Sequence, residues 1–140
     1  MQLNLKTDFA LRMLMTLAAK DELVSIDWIA SRHDISRNHL AKVAQDLAAH
    51  GFIETTRGRG GGIQLAMRPD QINTGDVVRK LETMDSFVAC MGDGSHCAID
   101  GFCGLKPALS GALEAFLSHL DQFSLADITG NRTRLLELLD

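Results

Sequence analysis

Three features of the sequence predict a mainly α-helical chain with one small β element. Aromatics are scarce, with six Phe, one Trp and no Tyr, while Leu, Ala and Met are plentiful. Apolar residues recur at helical spacing through most of the chain. Only the stretch from Phe52 to Met67 changes to strand-like alternation, around a glycine-rich turn. A length of 140 residues suits about one domain with its own core.

The elements follow in order. "TDFALRMLMTLAAK" begins with a cap-type residue, Thr7, and an acid in the first turn, Asp8. Phe9, Met13, Leu14 and Leu17 form one apolar face and Leu11, Met15 and Ala18 a second, so this helix is central or shared with a partner. "SIDWIASRHD" reads as a short helix capped by Ser25, and "ISRNHLAKVAQDLAAHG" as a second one. In that second helix Ser36 is the expected cap, Leu40, Val43, Ala44 and Leu47 the buried stripe, and Gly51 the residue just past the end. Two short helices at a tight turn, the second polar at its start, make a helix-turn-helix pattern. "FIETTRGRGGGIQLAM" then supplies two strands, Phe52–Arg57 and Ile63–Met67, about a turn that glycine makes accessible; a hairpin in this place is a wing.

"TGDVVRKLET" is another capped helix, and the cysteine-bearing segment follows it. "GLKPALSGALEAFLSHLDQF" is a long helix whose apolar stripe comprises Leu105, Leu109, Ala112, Leu113, Phe116, Leu117 and Leu120, with Pro107 in its first turn. The core is already supplied upstream, so this stripe is expected to pack on a second subunit, packing within its own chain being the alternative. "SLADITGNRTRLLELLD" closes the chain as a short amphipathic tail. The expected organisation is a winged helix-turn-helix domain over residues 1–83, a cysteine loop over 84–104, and a dimerisation helix with its tail over 105–140.

Net charge is -4, which by itself argues against nucleic acid. Its distribution argues the other way. Between Arg32 and Arg68 six basic residues face three acidic ones, leaving +3 there and -7 elsewhere. The start of a reading helix reaches base edges in the major groove. Here that start offers Ser36, Arg37, Asn38 and His39, with Lys42 and Gln45 further along. Arginine can grip guanine bidentately, and Asn or Gln adenine. Arg57 and Arg59 flank a wing with no side-chain bulk at Gly58 and Gly60, which suits a narrow minor groove. One such helix reads few base pairs, so specificity calls for a dimer on a two-fold, palindromic DNA site.

All three cysteines fall within "CMGDGSHCAIDGFC", spaced Cys90-x6-Cys97-x5-Cys103. An odd count and no secretory signal argue for a cytoplasmic chain without a disulfide framework. The most apolar stretch is short and carries Arg12, so no membrane span is expected. Zinc ribbons and thioredoxin-type pairs both use CxxC steps, absent here. Clustered soft thiolates suit iron–sulfur chemistry, with zinc or direct thiol oxidation as alternatives. Three thiolates leave a four-iron cluster one ligand short. Cys, His and Asp in one loop could also be a nucleophile with its base. No orienting third group on a rigid element is evident, however, and the chain is not expected to be an enzyme.

The sequence resembles the Rrf2 family of winged-helix regulators, and within it the nitric-oxide-responsive repressors. The resemblance runs through "MQLNLKTDFALRMLM", "SRNHLAKVAQDLAAHGFIETTRGRGGGIQLA", "INTGDVVRKLE", "CAIDGFCGLKPAL" and "FSLADITG", in that order. It implies a homodimer whose three cysteines hold an iron–sulfur cluster, of four irons, with a two-iron form arising through oxygen damage. It also implies operator binding that requires the intact cluster and is lost when nitric oxide reacts with it. Some relatives place a histidine ligand three residues after the last cysteine; that position is Lys106 here. The resemblance instead implies Asp8, reaching across from the partner subunit, as fourth ligand. As a bare sequence feature Asp8 is a helix-start acid favoured by the dipole, and His96 is the rival donor.

Overall fold

The computed structural model describes residues 2–84, 87–92 and 96–140. The first helix, α1 (Leu5–Lys20), is the centre of the fold. Met13 and Leu14 are fully buried and Leu17 nearly so, and the second face, Leu11, Met15 and Ala18, packs against the same core. Around α1 are the helix-turn-helix pair α2 (Ile26–His33) and α3 (Arg37–Ala49), the hairpin β1 (Ile53–Thr56) and β2 (Gly62–Leu65), and α4 (Thr74–Leu81). The long α5 (Leu105–Leu120) follows, then α6 (Leu125–Thr129) and α7 (Arg132–Leu139).

The start of α1 differs from expectation. The cap is Asn4, whose Oδ1 accepts from Thr7 N at 2.8 Å and from the Thr7 hydroxyl at 3.2 Å. Thr7 is fully buried inside the first turn, so the helix begins three residues earlier than its own cap-type character suggests. Asn4 also donates from N to Glu82 Oε1 at 2.9 Å and from Nδ2 to Glu82 Oε2 at 3.0 Å. The beginning of α1 is thereby clasped to the residue that ends α4.

In α2, Ser25 accepts from Trp28 N as a cap, and Asp34 closes the helix in the left-handed region. The α3 stripe is as the periodicity predicts: Leu40, Val43, Ala44 and Leu47 are all buried, and Gly51 follows the helix at φ 77°. The hairpin pairs antiparallel, Ile53 opposite Leu65 and Thr56 opposite Gly62, with each strand a little shorter than expected. Val24 adds a bridge to Ile63, so the hairpin's root is tied to the segment before α2. In the wing turn Gly58 (φ 99°) and Gly60 (φ 76°) adopt conformations closed to most side chains. At Gly61 a Cβ would lie 2.2 Å from the Thr56 carbonyl oxygen.

The C-terminal segment is two helices, both packed on α1. Ser124 and Asp127 form a capping box for α6, and Leu125 and Leu139 are buried. Arg132 donates to the carbonyls of Ala19 and Lys20, satisfying acceptors that the end of α1 leaves open. Arg79 of α4 grips Asp121, just past α5, through both terminal nitrogens, one at 2.7 Å. That bond raises Arg79 and holds Asp121 below the usual carboxylate range. Glycine at 75 leaves room for this pair: a Cβ there would sit 2.0 Å from Asp121 Oδ1 and would push that carboxylate aside.

Candidate nucleic-acid interface and cysteine site

The expected DNA-reading residues all reach solvent, and Gln45 of α3 and Arg57 of the wing line one hollow. Ser36, Arg37, Asn38, His39, Lys42 and Gln45 on α3 are exposed, as are Arg57 and Arg59 in the wing. Ser36 stands at the cap position of α3, yet its side chain makes no capping bond, so its hydroxyl is available to a ligand. The side chains of Asn38, His39, Lys42, Gln45, Arg57 and Arg59 have no hydrogen-bond or ion-pair partner among the described residues. Between helix and wing lies a hollow of about 390 Å³, lined by Ala41, Gln45, Thr55 and Arg57 among others. The small side chain of Ala41 keeps it open. A helix that fits a major groove and an arginine-tipped loop beside it, separated by a furrow, can straddle one sugar-phosphate strand.

Two pairs bearing on this surface are absent from the sequence reading. Arg37 Nε donates to Asp27 Oδ1 at 2.7 Å, tying the first turn of α2 to the start of α3. The signal for it was an acid opening one helix of a helix-turn-helix and a base opening the next. Lys6 of α1 pairs with Asp46 of α3 at 3.2 Å. Leu14 and Leu40 share the common core, so α1 and α3 are packed together beneath this exposed pair.

Asp8 sits in the first turn of α1, where both of its oxygens face Arg12: Nε at 3.2 Å and Nη2 at 2.7 Å. One turn on, the Thr16 hydroxyl donates to the Arg12 carbonyl at 2.8 Å, so it must accept from His33 Nε2, also at 2.8 Å. His33 therefore carries a proton on Nε2. Burial lowers its pKa, the Arg12 guanidinium lowers it further, and Asp8 opposes both. A histidine lowered on folding contributes stability that is full above its ordinary value of 6.5 and is lost as pH falls through the folded value. Asp121 and Asp127 act with the same sign in a more acidic window, below 3.8. The urea midpoint should accordingly be lower at about pH 5.5 than at about pH 7.5. His33→Gln should flatten that dependence.

Cys90 lies in a 3-10 turn, Ala89–Met91, Cys97 in irregular chain and Cys103 shortly before α5. All three are free thiols; Cys97 is exposed and the other two are half-buried. Isolated turn bonds hold this segment, from Met91 N to Val88 O, Asp100 N to Cys97 O and Phe102 N to Ile99 O. Lys106, at the position of the relatives' histidine, pairs with Asp100 at 3.4 Å, and His96 is exposed. Among the described residues no three His, Cys, Asp or Glu side chains converge on one point. Part of the expected cluster loop, residues 85–86 and 93–95, lies outside the described residues. As a donor set, three free thiols on chain without a regular ladder, plus a carboxylate carried on a rigid helix, fit a thiolate-rich metal group.

A winged helix-turn-helix with a cationic, exposed face on its second helix and wing defines a DNA-binding protein. Residues 3–131 match the family described as Rrf2, iron-dependent transcriptional regulator. The chain is 45% identical to the HTH-type transcriptional regulator NsrR of Bacillus licheniformis, with 99% of each covered. The NsrR regulators of Bacillus subtilis and Geobacillus kaustophilus are 45% and 46% identical, over 99% of this chain and 97% of theirs. Among solved structures, IscR of T. potens superposes with a TM-score of 0.72 at 25% identity, covering 91% of this chain and 85% of that one. CymR of B. subtilis, at 22% identity, shares the fold with a TM-score of 0.71 over 92% and 96%. The chain belongs to the Rrf2 family and is a DNA-binding transcriptional regulator of the NsrR type. Among the described residues no helix is long and apolar enough to cross a membrane.

Proposed function

We propose that the protein is a nitric-oxide-responsive repressor. It acts as a homodimer on a palindromic operator, with an iron–sulfur cluster held by Cys90, Cys97 and Cys103 and by Asp8 of the other copy. The carrying observation is near-full-length likeness to NsrR regulators in a chain whose three thiols are all free and confined to fourteen residues. When bound, a four-iron cluster with three thiolates and one carboxylate supplies an iron whose weakest ligand a small neutral molecule can replace.

The chain's own residues define what a change at that site can move. Asp8 is bonded to Arg12, so its service as a ligand requires that it share or leave that pair. Asp8 rides on α1, which packs on α3 through Lys6 and the common core, and whose first turn is clasped to the end of α4 by Asn4 and Glu82. The partner Asp8 takes thus bears on the attitude of the reading helix. Dimerisation has its own surface. Of the α5 stripe only Leu117 is buried; Leu105 and Ala112 are exposed, and Leu109, Leu113, Phe116 and Leu120 are partly covered. A hollow of about 590 Å³ beside Leu109, Leu113 and Phe116, reaching Leu3 and Met84, continues this apolar face. A second copy would bury what one chain leaves open.

Protein purified without air should contain on the order of four iron and four sulfide per chain, with visible absorption. Cys97→Ser should lose both. A colourless protein with stoichiometric zinc would contradict the reading. The exposure of Cys97 favours one rival, direct thiol oxidation, for which fresh anaerobic protein would show no visible bands.

A further inference from the structure

One arginine on the reading face is already engaged. Arg37 is the first residue of α3 and Asp27 the second of α2, ten positions earlier, and the two meet through Nε alone, at 2.7 Å. Neither terminal nitrogen of Arg37 has an acceptor among the described residues. Both side chains are largely exposed, at 62% and 69% for Arg37 and Asp27. An ion pair that open contributes little to stability, so the arrangement calls for another explanation.

We propose that Asp27 is a specificity-determining positioning residue for DNA. It holds Arg37 by Nε and leaves the two terminal nitrogens as a fixed fork for one guanine. A free arginine has many rotamers and is attracted to any phosphate within reach. Nε held by a carboxylate restricts the side chain before DNA arrives. The same negative charge is repelled by the backbone, which weakens phosphate pairing at this position. What remains favourable is the contact with guanine O6 and N7, which needs two parallel donors and no charge on the base. Asp27 therefore acts through Arg37 on discrimination more than on overall affinity. By contrast Lys42, Arg57 and Arg59, with no tether among the described residues, suit contacts that tolerate sequence change.

This inference rests on α3 being the reading helix, and the test separates the two. A duplex would be selected from a random-sequence library by the wild-type protein. Each G·C pair of a half-site would then be replaced by A·T, one at a time. Binding of wild type, Asp27→Ala, Arg37→Ala and the double variant would be measured on this set and on an unrelated duplex. Asp27→Ala should lose about tenfold in discrimination at a single G·C pair, the pair to which Arg37→Ala has become indifferent. Its affinity for the unrelated duplex should be unchanged or higher, and the double variant should be no worse than Arg37→Ala. If Arg37→Ala is selective and Asp27→Ala is not, the proposal for Asp27 is overturned alone. Uniform weakening by Asp27→Ala on every duplex also overturns it, since that would mark a merely structural tie. If Arg37→Ala changes no base preference, both the proposal and the α3 assignment fall.

Discussion

Replacing Leu113 and Phe116 together by Glu is expected to convert the protein into a folded monomer that holds its operator 10²- to 10⁴-fold more weakly. These side chains lie on α5, on the edge of the large apolar hollow, and are only partly covered by their own chain. The core that stabilises the winged domain is elsewhere, in Met13, Leu14, Leu40, Leu47 and Ile63. Charge at the α5 positions should therefore leave thermal unfolding nearly cooperative while it destroys subunit contact, because a carboxylate buried at an interface without a partner is costly. The effect on DNA is large because two linked half-site contacts gain from effective concentration, and a monomer has only one. Sedimentation and operator titration on the same samples check this. A variant that remains dimeric would place the subunit interface elsewhere.

The second large effect is at the reading surface. Arg37→Ala and Arg59→Ala should each weaken operator binding by about 1–3 kcal/mol per site, doubled in effect on a two-fold complex. Their signatures should differ. On the proposal that Asp27 positions Arg37 for a base edge, loss of Arg37 should relax sequence preference. Arg59 stands between glycines at φ 99° and 76° in the wing, with no partner among the described residues. Its loss should weaken binding on most sequences and reduce the salt slope by about one unit per half-site. Full retention by both variants would mean that the cationic face is not the DNA face.

Much of this architecture is legible in residue order. The α3 stripe was recoverable because Leu40, Val43, Ala44 and Leu47 follow a 3.6 period and all four face one core. The wing was recoverable because few sequences other than Gly58–Gly62 permit so tight a return. Other features depend on neighbours that a linear reading does not supply. Thr7 has the chemistry of a cap, but Asn4 has it too, and only the contact with Glu82 decides between them. The closing tail has the amphipathic pattern of a helix, yet that α6 and α7 both rest on α1 is a matter of tertiary packing, visible in Arg132 reaching the Ala19 carbonyl. The Asp8–Arg12 pair is an ordinary four-residue spacing that the functional reading of Asp8 overshadowed. Cysteine spacing names candidate ligands without bringing them together, because a metal site is rarely preformed in the chain before its metal binds.

The most direct test of the account is operator affinity measured without air on one preparation in three states: as purified, after removal of iron and sulfide by chelation under reducing conditions, and after addition of nitric oxide. Tight, two-fold binding is expected in the first state and at least a hundredfold loss in the other two, a difference in binding free energy of about 2.7 kcal/mol or more. Equal affinity in all three states would contradict it, and would leave a winged-helix DNA-binding protein whose thiols do not control its grip.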